Sequence, residues 1–139
     1  MSRILLTAFA LVLAGCVQLP PTPEDIQAKK FEIPPDKAVI YVVRAAMDSL
    51  EVSGLTLDDG APITTHPGTY YRWEVAPGRH RVAGFAAANE SVVLTTQAGT
   101  AYFLEHTVIG SRRVGPASTF LRQIDEREGR ALVSRATLL

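Results

Sequence analysis

Few side chains in this sequence could do chemistry, and those few lie far apart. The three histidines, His66, His80 and His106, are separated by 14 and 26 residues. Metal sites usually place their ligands at short, fixed spacings, and the chain has a single cysteine to add to these histidines. We therefore predict no metal site and expect three separate histidines, each with its own hydrogen bonding.

Catalytic nucleophiles are equally hard to find. Three serines in the second half of the chain are candidates, but none lies in a Gly-x-Ser-x-Gly turn with a base and an acid that can be placed beside it. The paired carboxylates of Asp58 and Asp59 are followed by Gly60, which is typical of a turn rather than of acid–base catalysis. The sequence thus predicts no catalytic residue and no enzyme. The candidate serines are Ser91, Ser111 and Ser118.

Two segments offer candidate binding sites. The loop Gly110-Ser111-Arg112-Arg113-Val114-Gly115 could bind an anion through two guanidinium groups and loop amides, although an ordinary solvated loop fits the same residues. The rings of Tyr70, Tyr71 and Trp73 could stack on a glycan. Side chains alternate along a strand, so Tyr70 would be a single exposed ring opposite the other two, and core packing is the expected role of this group.

Composition indicates one neutral, folded domain. The chain has 139 residues, 47% of them apolar, with 14 basic and 14 acidic residues and a formal net charge of zero. This length supports one core, and the charge balance gives no reason to expect nucleic acid or an anionic membrane surface as a partner. A single cysteine excludes an intrachain disulfide.

The first sixteen residues have the layout of a secretory signal. A cationic Met-Ser-Arg start is followed by an apolar run from Ile4 to Gly15 and then by Cys16. That run is shorter than the roughly 20 residues a membrane-spanning helix needs. Its ending, Leu13-Ala14-Gly15-Cys16, resembles at all four positions the lipobox of bacterial lipoproteins.

The resemblance implies a specific modification. Signal cleavage would fall between Gly15 and Cys16, the sulfur of Cys16 would take a diacylglyceryl group, and the new amine would be acylated with a chain such as palmitate. Two or more acyl chains hold a protein stably at a bilayer. In lipoproteins of enteric-type envelopes an aspartate after the cysteine favours the inner membrane, and Val17 stands there instead. The expected location is therefore the outer membrane, facing the periplasm.

Residues 16–37 predict a lipidated N-terminus and a proline-rich tether. They hold five of the nine prolines, and as an extended polyproline helix about 20 residues would span roughly 60 Å. A short helix is possible inside this segment, with Thr22 as its cap and Pro23 at its first position. Pro34 and Pro35 would prevent its continuation.

Residues 38–139 predict a mainly β domain, a single antiparallel β-sandwich of about seven strands. A continuous apolar run at residues 38–44 indicates a central strand that is covered on both faces. Asp125 and Glu128 fit a variant of the capping box and predict a short C-terminal helix at residues 126–136, which Gly129 would weaken. The other predicted strands are residues 55–58, 69–75, 79–87, 90–96, 100–109 and 119–125.

Two turns predict hairpins. Ala76-Pro77-Gly78-Arg79 would join strands 69–75 and 79–87, with Trp73 opposite Val82 and Glu74 in an ion pair with Arg81. Gln97-Ala98-Gly99-Thr100 would join strands 90–96 and 100–109, with Leu94 opposite Phe103. In the first hairpin the Trp73 face would be the core face, because the other face carries the charges.

The order of these motifs is similar to that of a family of small bacterial lipoproteins with a domain of unknown function. The segments on which this resemblance rests are the lipobox, the spacer, Ala38-Val39-Ile40-Tyr41-Val42-Val43-Arg44, Gly68-Thr69-Tyr70-Tyr71, Val75-Ala76-Pro77-Gly78-Arg79-His80 and Gln97-Ala98-Gly99-Thr100-Ala101-Tyr102-Phe103. The resemblance implies a transthyretin- or PEGA-like sandwich and carries no catalytic residue.

Together these observations predict an envelope lipoprotein that is anchored to the membrane through Cys16 and acts as a non-enzymatic structural or interaction module. Its expected partner is another envelope protein or polymer, with no nucleic acid, metal or cofactor. The alternative is a periplasmic domain that binds a glycan or an anion, or hydrolyses a substrate, through His66, the Arg112-Arg113 loop or both.

Overall fold

The computed structural model describes residues 20–85, 90–111, 113, 115 and 117–139. This part of the chain contains two helices, α1 (Pro23–Ala28) and α2 (Glu126–Arg135), and nine strands. The strands are β1 (Ala38–Val43), β2 (Ser53–Leu57), β3 (Ile63–Thr65), β4 (Thr69–Val75), β5 (Gly78–Phe85), β6 (Ser91–Thr96), β7 (Ala101–Ile109), β8 (Ser118–Ile124) and β9 (Thr137–Leu138).

The strands form two sheets that pack face to face, as in a β-sandwich. Sheet A has the order β8-β7-β1-β4-β9, and sheet B has the order β3-β2-β5-β6. The predicted mainly β class with a short C-terminal helix is confirmed, but the described residues form nine strands rather than about seven. The short strands β3 and β9 were not among those predicted.

Strand β1 lies at the centre of sheet A, and all six of its residues are buried. Because side chains alternate along a strand, half of them enter the core between the two sheets and half enter a second core under the helices. The prediction of a strand covered on both faces is confirmed. The first set is Ala38, Ile40 and Val42, and the second is Val39, Tyr41 and Val43.

Both predicted hairpins are wrong. The chain crosses from sheet A to sheet B after β4 and returns after β6, so neither turn joins paired strands. Trp73 lies opposite Ile40 of β1, while Val82 lies opposite Leu57 and Val92. The predicted core face of β4 and β5 is nevertheless confirmed, since Trp73 and Val82 both contribute to the core between the sheets.

The remaining pairs predicted across these turns are replaced by others. Glu74 forms its ion pair with Arg72 on its own strand, and Arg81 forms one with Asp59. Leu94 lies opposite His80. Phe103 faces the helices rather than β6.

The sandwich is not wholly antiparallel as predicted. Strand β7 runs parallel to β1, and β9 runs parallel to β4. Between β1 and β7 the chain passes through sheet B twice and through sheet A once, as β4, which runs antiparallel to β1. Strand β7 then enters sheet A on the other side of β1 and in the same direction as β1.

Helix α1 begins where the sequence predicts. The Thr22 hydroxyl accepts a hydrogen bond from the Asp25 N–H at 3.1 Å, and Pro23 occupies the first helical position. The segment differs from the predicted extended spacer because it packs on sheet A. Ala28 is buried, and the ring of Phe31 lies 5.4 Å from that of Tyr41.

Helix α2 covers the same face of sheet A. Asp125 caps it by accepting a hydrogen bond from the Glu128 N–H at 2.8 Å, as the capping signal predicts. Gly129 has a packing role in this helix, since a Cβ at that position would overlap the ring of Phe103. A glycine here lets the helix approach the sheet closely.

Candidate functional site

Strand β4 is an open edge of sheet A over most of its length. Strand β9 pairs only with Thr69 and Tyr70, and the Leu139 N–H donates to the Tyr70 carbonyl at 3.0 Å. Backbone groups of alternate residues point to the same side, so Arg72 and Glu74 also direct their N–H and C=O groups outward. Within the described residues, no strand pairs with this stretch of the edge.

A groove of about 760 Å³ runs beside this edge. One wall is α1 with the turn that follows it, the other is β4, and the last two residues of the chain also line it. Its residues are Pro23, Glu24, Gln27, Ala28, Glu32, Ile33, Pro34, Tyr71, Arg72, Glu74, Leu138 and Leu139.

The Arg72 side chain is held in the groove by three partners. Its Nε donates to the Tyr41 hydroxyl at 3.2 Å, one terminal nitrogen donates to the Glu32 carbonyl at 3.2 Å, and the other pairs with the Glu74 carboxylate at 2.5 Å. Burial lowers the pKa of Arg72, but the bonds to Glu74 and Tyr41 outweigh it and the net pKa is raised. The guanidinium is charged, and the Glu74 carboxylate balances its charge.

The helical wall of the groove is fixed by Asp25, which is 1% exposed. Its carboxylate accepts hydrogen bonds from Lys29 Nζ at 2.8 Å, the Tyr70 hydroxyl at 2.8 Å and the Leu138 N–H at 3.0 Å. Burial alone raises the pKa of Asp25, but these donors outweigh it and the net pKa is lowered. One carboxylate thus ties α1 to β4 and β9.

A second buried polar cluster lies at the end of the sandwich where β1 ends. Arg44 is 1% exposed, and its Nε binds the Asp48 carboxylate at 2.7 Å. One terminal nitrogen donates to the Thr65 carbonyl at 3.2 Å, and the other donates to the Ser49 carbonyl. Asp48 also accepts from the Val108 N–H at 3.0 Å. This ion pair holds the β1–β2 loop against β7.

His106 belongs to the same end and is 1% exposed. The Thr65 hydroxyl donates to the Ser53 carbonyl at 3.1 Å, so it accepts from His106 Nδ1, 3.2 Å away. The ring is then neutral with its proton on Nδ1, and Nε2 has no hydrogen-bond partner among the described residues. Burial, with a smaller contribution from Arg44, lowers the pKa of His106 to about 4.

The other two histidines lie elsewhere. His80 Nδ1 pairs with Asp58 at 2.7 Å and Nε2 with the Ala76 carbonyl at 2.8 Å, so it is a separate, hydrogen-bonded histidine as expected. His66 is exposed in the turn before β4. The histidines therefore do not meet, and no cluster of three His, Cys, Asp or Glu residues is found in the described ranges.

The predicted turn at Asp58 and Asp59 is confirmed. Both residues adopt positive φ angles, 51° and 57°, which aspartate tolerates better than most residues. Asp58 accepts hydrogen bonds from the Arg81 N–H at 2.8 Å and from His80. Burial raises the pKa of Asp58, but these bonds outweigh it and the net pKa is lowered. The carboxylates thus hold a turn together.

The aromatic group does not form a stacking platform of three rings. Tyr70 is 1% exposed, so the expectation of an exposed ring is wrong, because the helices cover the face of sheet A that it enters. Tyr71 and Trp73 are half-buried with ring centres 5.0 Å apart. Trp73 packs against the core between the sheets, as predicted, whereas Tyr70 belongs to the core under the helices.

The structure describes some of the remaining predicted site residues and not others. Gly15, Cys16 and Arg112 lie outside the described residues. Arg113 is exposed, and its N–H donates to the Ser111 hydroxyl at 3.3 Å, which in turn donates to Glu51 at 2.9 Å. Two further serines, Ser91 and Ser118, lie at the starts of β6 and β8.

Sequence reasoning missed the three features that organise the molecule: the open β4 edge, the buried Asp25 and the buried Arg44. Thr22 and Pro23 marked the helix that contains Asp25, but no local signal marks its burial. Among the described residues, no helix is long and apolar enough to span a bilayer. The chain matches no protein-family model and none of the curated proteins.

Proposed function

We propose that this chain is a lipid-anchored lipoprotein of the cell envelope, attached through Cys16, whose domain is a non-enzymatic interaction module. The ending Leu13-Ala14-Gly15-Cys16 supports the anchor. Two packed sheets are consistent with a transthyretin- or PEGA-like sandwich. Val17 after the cysteine favours the outer membrane, with the domain in the periplasm.

The open edge of β4 beside the groove carries the proposal of an interaction module. An extended segment of another envelope protein can add a strand to this edge, with main-chain hydrogen bonds to Arg72 and Glu74 and side chains in the groove. The guanidinium of Arg72 is already bound by Glu74 and by the Glu32 carbonyl. The groove therefore suits an uncharged backbone better than the anionic ligand of the alternative hypothesis.

Lipidation is tested by mass analysis of the protein recovered from its own cells. We expect the mature chain to begin at Cys16 with added acyl mass, to incorporate an alkyne-tagged palmitate and to float with membranes. The Cys16→Ser variant should keep its signal and take up no label. Recovery of the unsubstituted chain with Met1 attached and no acyl mass would refute the anchor.

Strand addition is tested with a photocrosslinking residue at Leu139, which lines the groove and is 42% exposed. The Glu74→Pro variant removes an outward N–H and places a proline ring at the edge, while the N–H groups that β4 donates to β1 are retained. We expect a crosslinked partner in the unsubstituted chain and in Glu74→Ala, and its loss in Glu74→Pro.

Two results would contradict this part of the proposal. One is a reproducible absence of crosslinks from intact membranes. The other is equal crosslinking in Glu74→Pro and Glu74→Ala when circular dichroism shows both to be folded, because contact through side chains alone would not require the outward N–H.

A further inference from the structure

The loop between β1 and β2 presents two large apolar side chains to solvent. Met47 is 97% exposed and Leu50 is 87% exposed. Ile109, at the end of β7, is 59% exposed, and the Ser49 hydroxyl donates to the Gly110 carbonyl at 2.9 Å, so the loop and the end of β7 are adjacent. Single exposed apolar residues are ordinary, but these three lie together at one end of the sandwich.

The loop is firmly held where these side chains emerge. Asp48 follows Met47 and binds Arg44, the Ser49 N–H at 2.8 Å and the Val108 N–H at 3.0 Å. The Asp48 side chain is 7% exposed and that of Arg44 is 1% exposed. A buried ion pair therefore fixes the backbone between Met47 and Leu50, whose apolar side chains stay outside the core.

The N-terminal segment enters the domain from this same end. Asp25 binds Tyr70, which lies opposite Val43 at the end of β1. One turn later Ala28 accepts from Tyr41, which lies deeper in the same strand. Helix α1 therefore runs away from the β1–β2 loop, and its first residues lie at the loop end of sheet A.

A second path of contacts leads to the same conclusion. Gly68 lies against Ala46 of the loop, and its carbonyl accepts from the Thr137 N–H at 2.9 Å. The next residue along β9, Leu138, binds Asp25 of α1. The start of α1 and the loop are thus linked by a short series of direct contacts.

Chain length limits how far this end can lie from a lipid on Cys16. Four residue steps separate Cys16 from Pro20, the first described residue, and a fully extended chain spans at most about 14 Å over four residues. This is far shorter than the spacer of roughly 60 Å that the proline content suggests. An anchor at Cys16 places the loop end close to the bilayer.

We propose that the β1–β2 loop docks on the bilayer, with Met47 and Leu50 entering the lipid beside the acylated Cys16. This inference rests on the proposed lipid anchor. It adds a second membrane contact and an orientation: the loop end faces the lipid, and the turns at residues 76–79 and 97–100 face away. Apolar side chains on a tethered domain bind lipid without a large affinity of their own, because the anchor already holds the domain at the surface.

Depth-dependent fluorescence quenching tests this orientation. Acylation occupies Cys16, so an introduced cysteine is the one free thiol of the mature chain. Met47→Cys and Leu50→Cys carry a bimane label in the lipidated protein, reconstituted in phosphatidylethanolamine and phosphatidylglycerol vesicles with or without brominated acyl chains. Val93→Cys is the matched control, because Val93 is 46% exposed and lies midway along sheet B, opposite Arg81 and away from the loop end.

We expect brominated lipid to reduce the emission at positions 47 and 50 at least about two-fold and to leave position 93 unchanged. Iodide in the buffer should quench only position 93. Failure of the unlabelled protein to float with vesicles would overturn the lipid anchor and the docking together. Flotation with equal quenching at all three positions would overturn the docking alone. Labels at positions 47 and 50 that neither quencher reaches would also overturn it, because they would indicate a second protein copy over the loop.

Discussion

Acid should destabilise this protein through His106. The ring is buried, and its Nδ1–H donates a hydrogen bond to the Thr65 hydroxyl. A second proton would have to bind at Nε2, which has no hydrogen-bond acceptor beside it among the described residues. The charged ring would also face Arg44. Replacement by leucine in the His106→Leu variant removes this titration, while the Thr65 hydroxyl keeps its bond to Ser53.

The size of the effect follows from the change in pKa. The pKa of His106 is lowered from 6.5 to about 4 in the folded state. Between those values the unfolded chain binds more protons, so the free energy of unfolding falls as the pH falls from 6.5 towards 4. The full loss is about 3 kcal/mol, of which about 2 kcal/mol is lost by pH 5. A domain of this kind has a free energy of unfolding of about 5–15 kcal/mol, so the loss is large.

Urea unfolding followed by the fluorescence of Trp73, the single tryptophan, measures this loss. Between about pH 7 and pH 5, the unsubstituted protein should lose about 2 kcal/mol more than His106→Leu. The control His66→Leu removes an exposed histidine and should follow the unsubstituted protein. Parallel pH profiles for the unsubstituted protein and His106→Leu would refute the reasoning, because all other titrating groups are common to both.

Two further substitutions test the packing of the helices on sheet A. Gly129→Ala should lower the free energy of unfolding by about 1–3 kcal/mol in thermal or urea denaturation, because the overlap with Phe103 exceeds the gain in helix propensity; an unchanged or higher stability would contradict this close contact. Asp25→Asn should cost about 2 kcal/mol near neutral pH by weakening the bonds to Lys29, Tyr70 and Leu138. Because the pKa of Asp25 is lowered, its contribution to the free energy of unfolding is present above about pH 4 and is lost as the pH falls through the folded-state pKa. The difference in stability between Asp25→Asn and the unsubstituted protein should therefore close only in that acidic range.

Local signals allowed several elements to be predicted. Thr22 with Pro23, and Asp125 with Glu128, mark helix starts through the hydrogen bonds that a cap makes with the next three residues, and both caps are found. The apolar run of β1 indicates burial on both faces, which requires no knowledge of its neighbours. In each case the physical cause lies within a few residues of the signal.

Strand pairing could not be predicted in this way. A turn such as Ala76-Pro77-Gly78-Arg79 reverses the chain equally well within one sheet or between two packed sheets. The alternation of Tyr71, Trp73 and Val75 is also the same in both arrangements. The difference arises from strands distant in sequence, because β5 pairs with β2 and β6 of sheet B and leaves the outer edge of β4 open.

The candidate site depends on the same long-range contacts. Asp25 resembles an ordinary acidic residue in the first turn of a helix, and its burial follows only when Tyr70 and Leu138 are brought beside it. Arg44 ends an apolar run and resembles a residue entering a loop. Its burial depends on Asp48, four residues later, and on the Thr65 carbonyl, 21 residues later in β3.

The proposed orientation has a consequence for the groove. Strand β4 begins at Thr69, near the loop end, and runs towards Val75 at the opposite end of sheet A. With the loop end on the bilayer, the edge covered by β9 lies nearest the lipid, and the open edge at Arg72 and Glu74 lies farther out. A partner strand can then reach these residues from the aqueous side without entering the membrane surface. A long extended spacer would let the domain rotate freely above the bilayer, so the open edge would have no fixed distance from the lipid. Because Asp25 holds α1 against sheet A, the short segment to Cys16 fixes which end of the domain faces the bilayer.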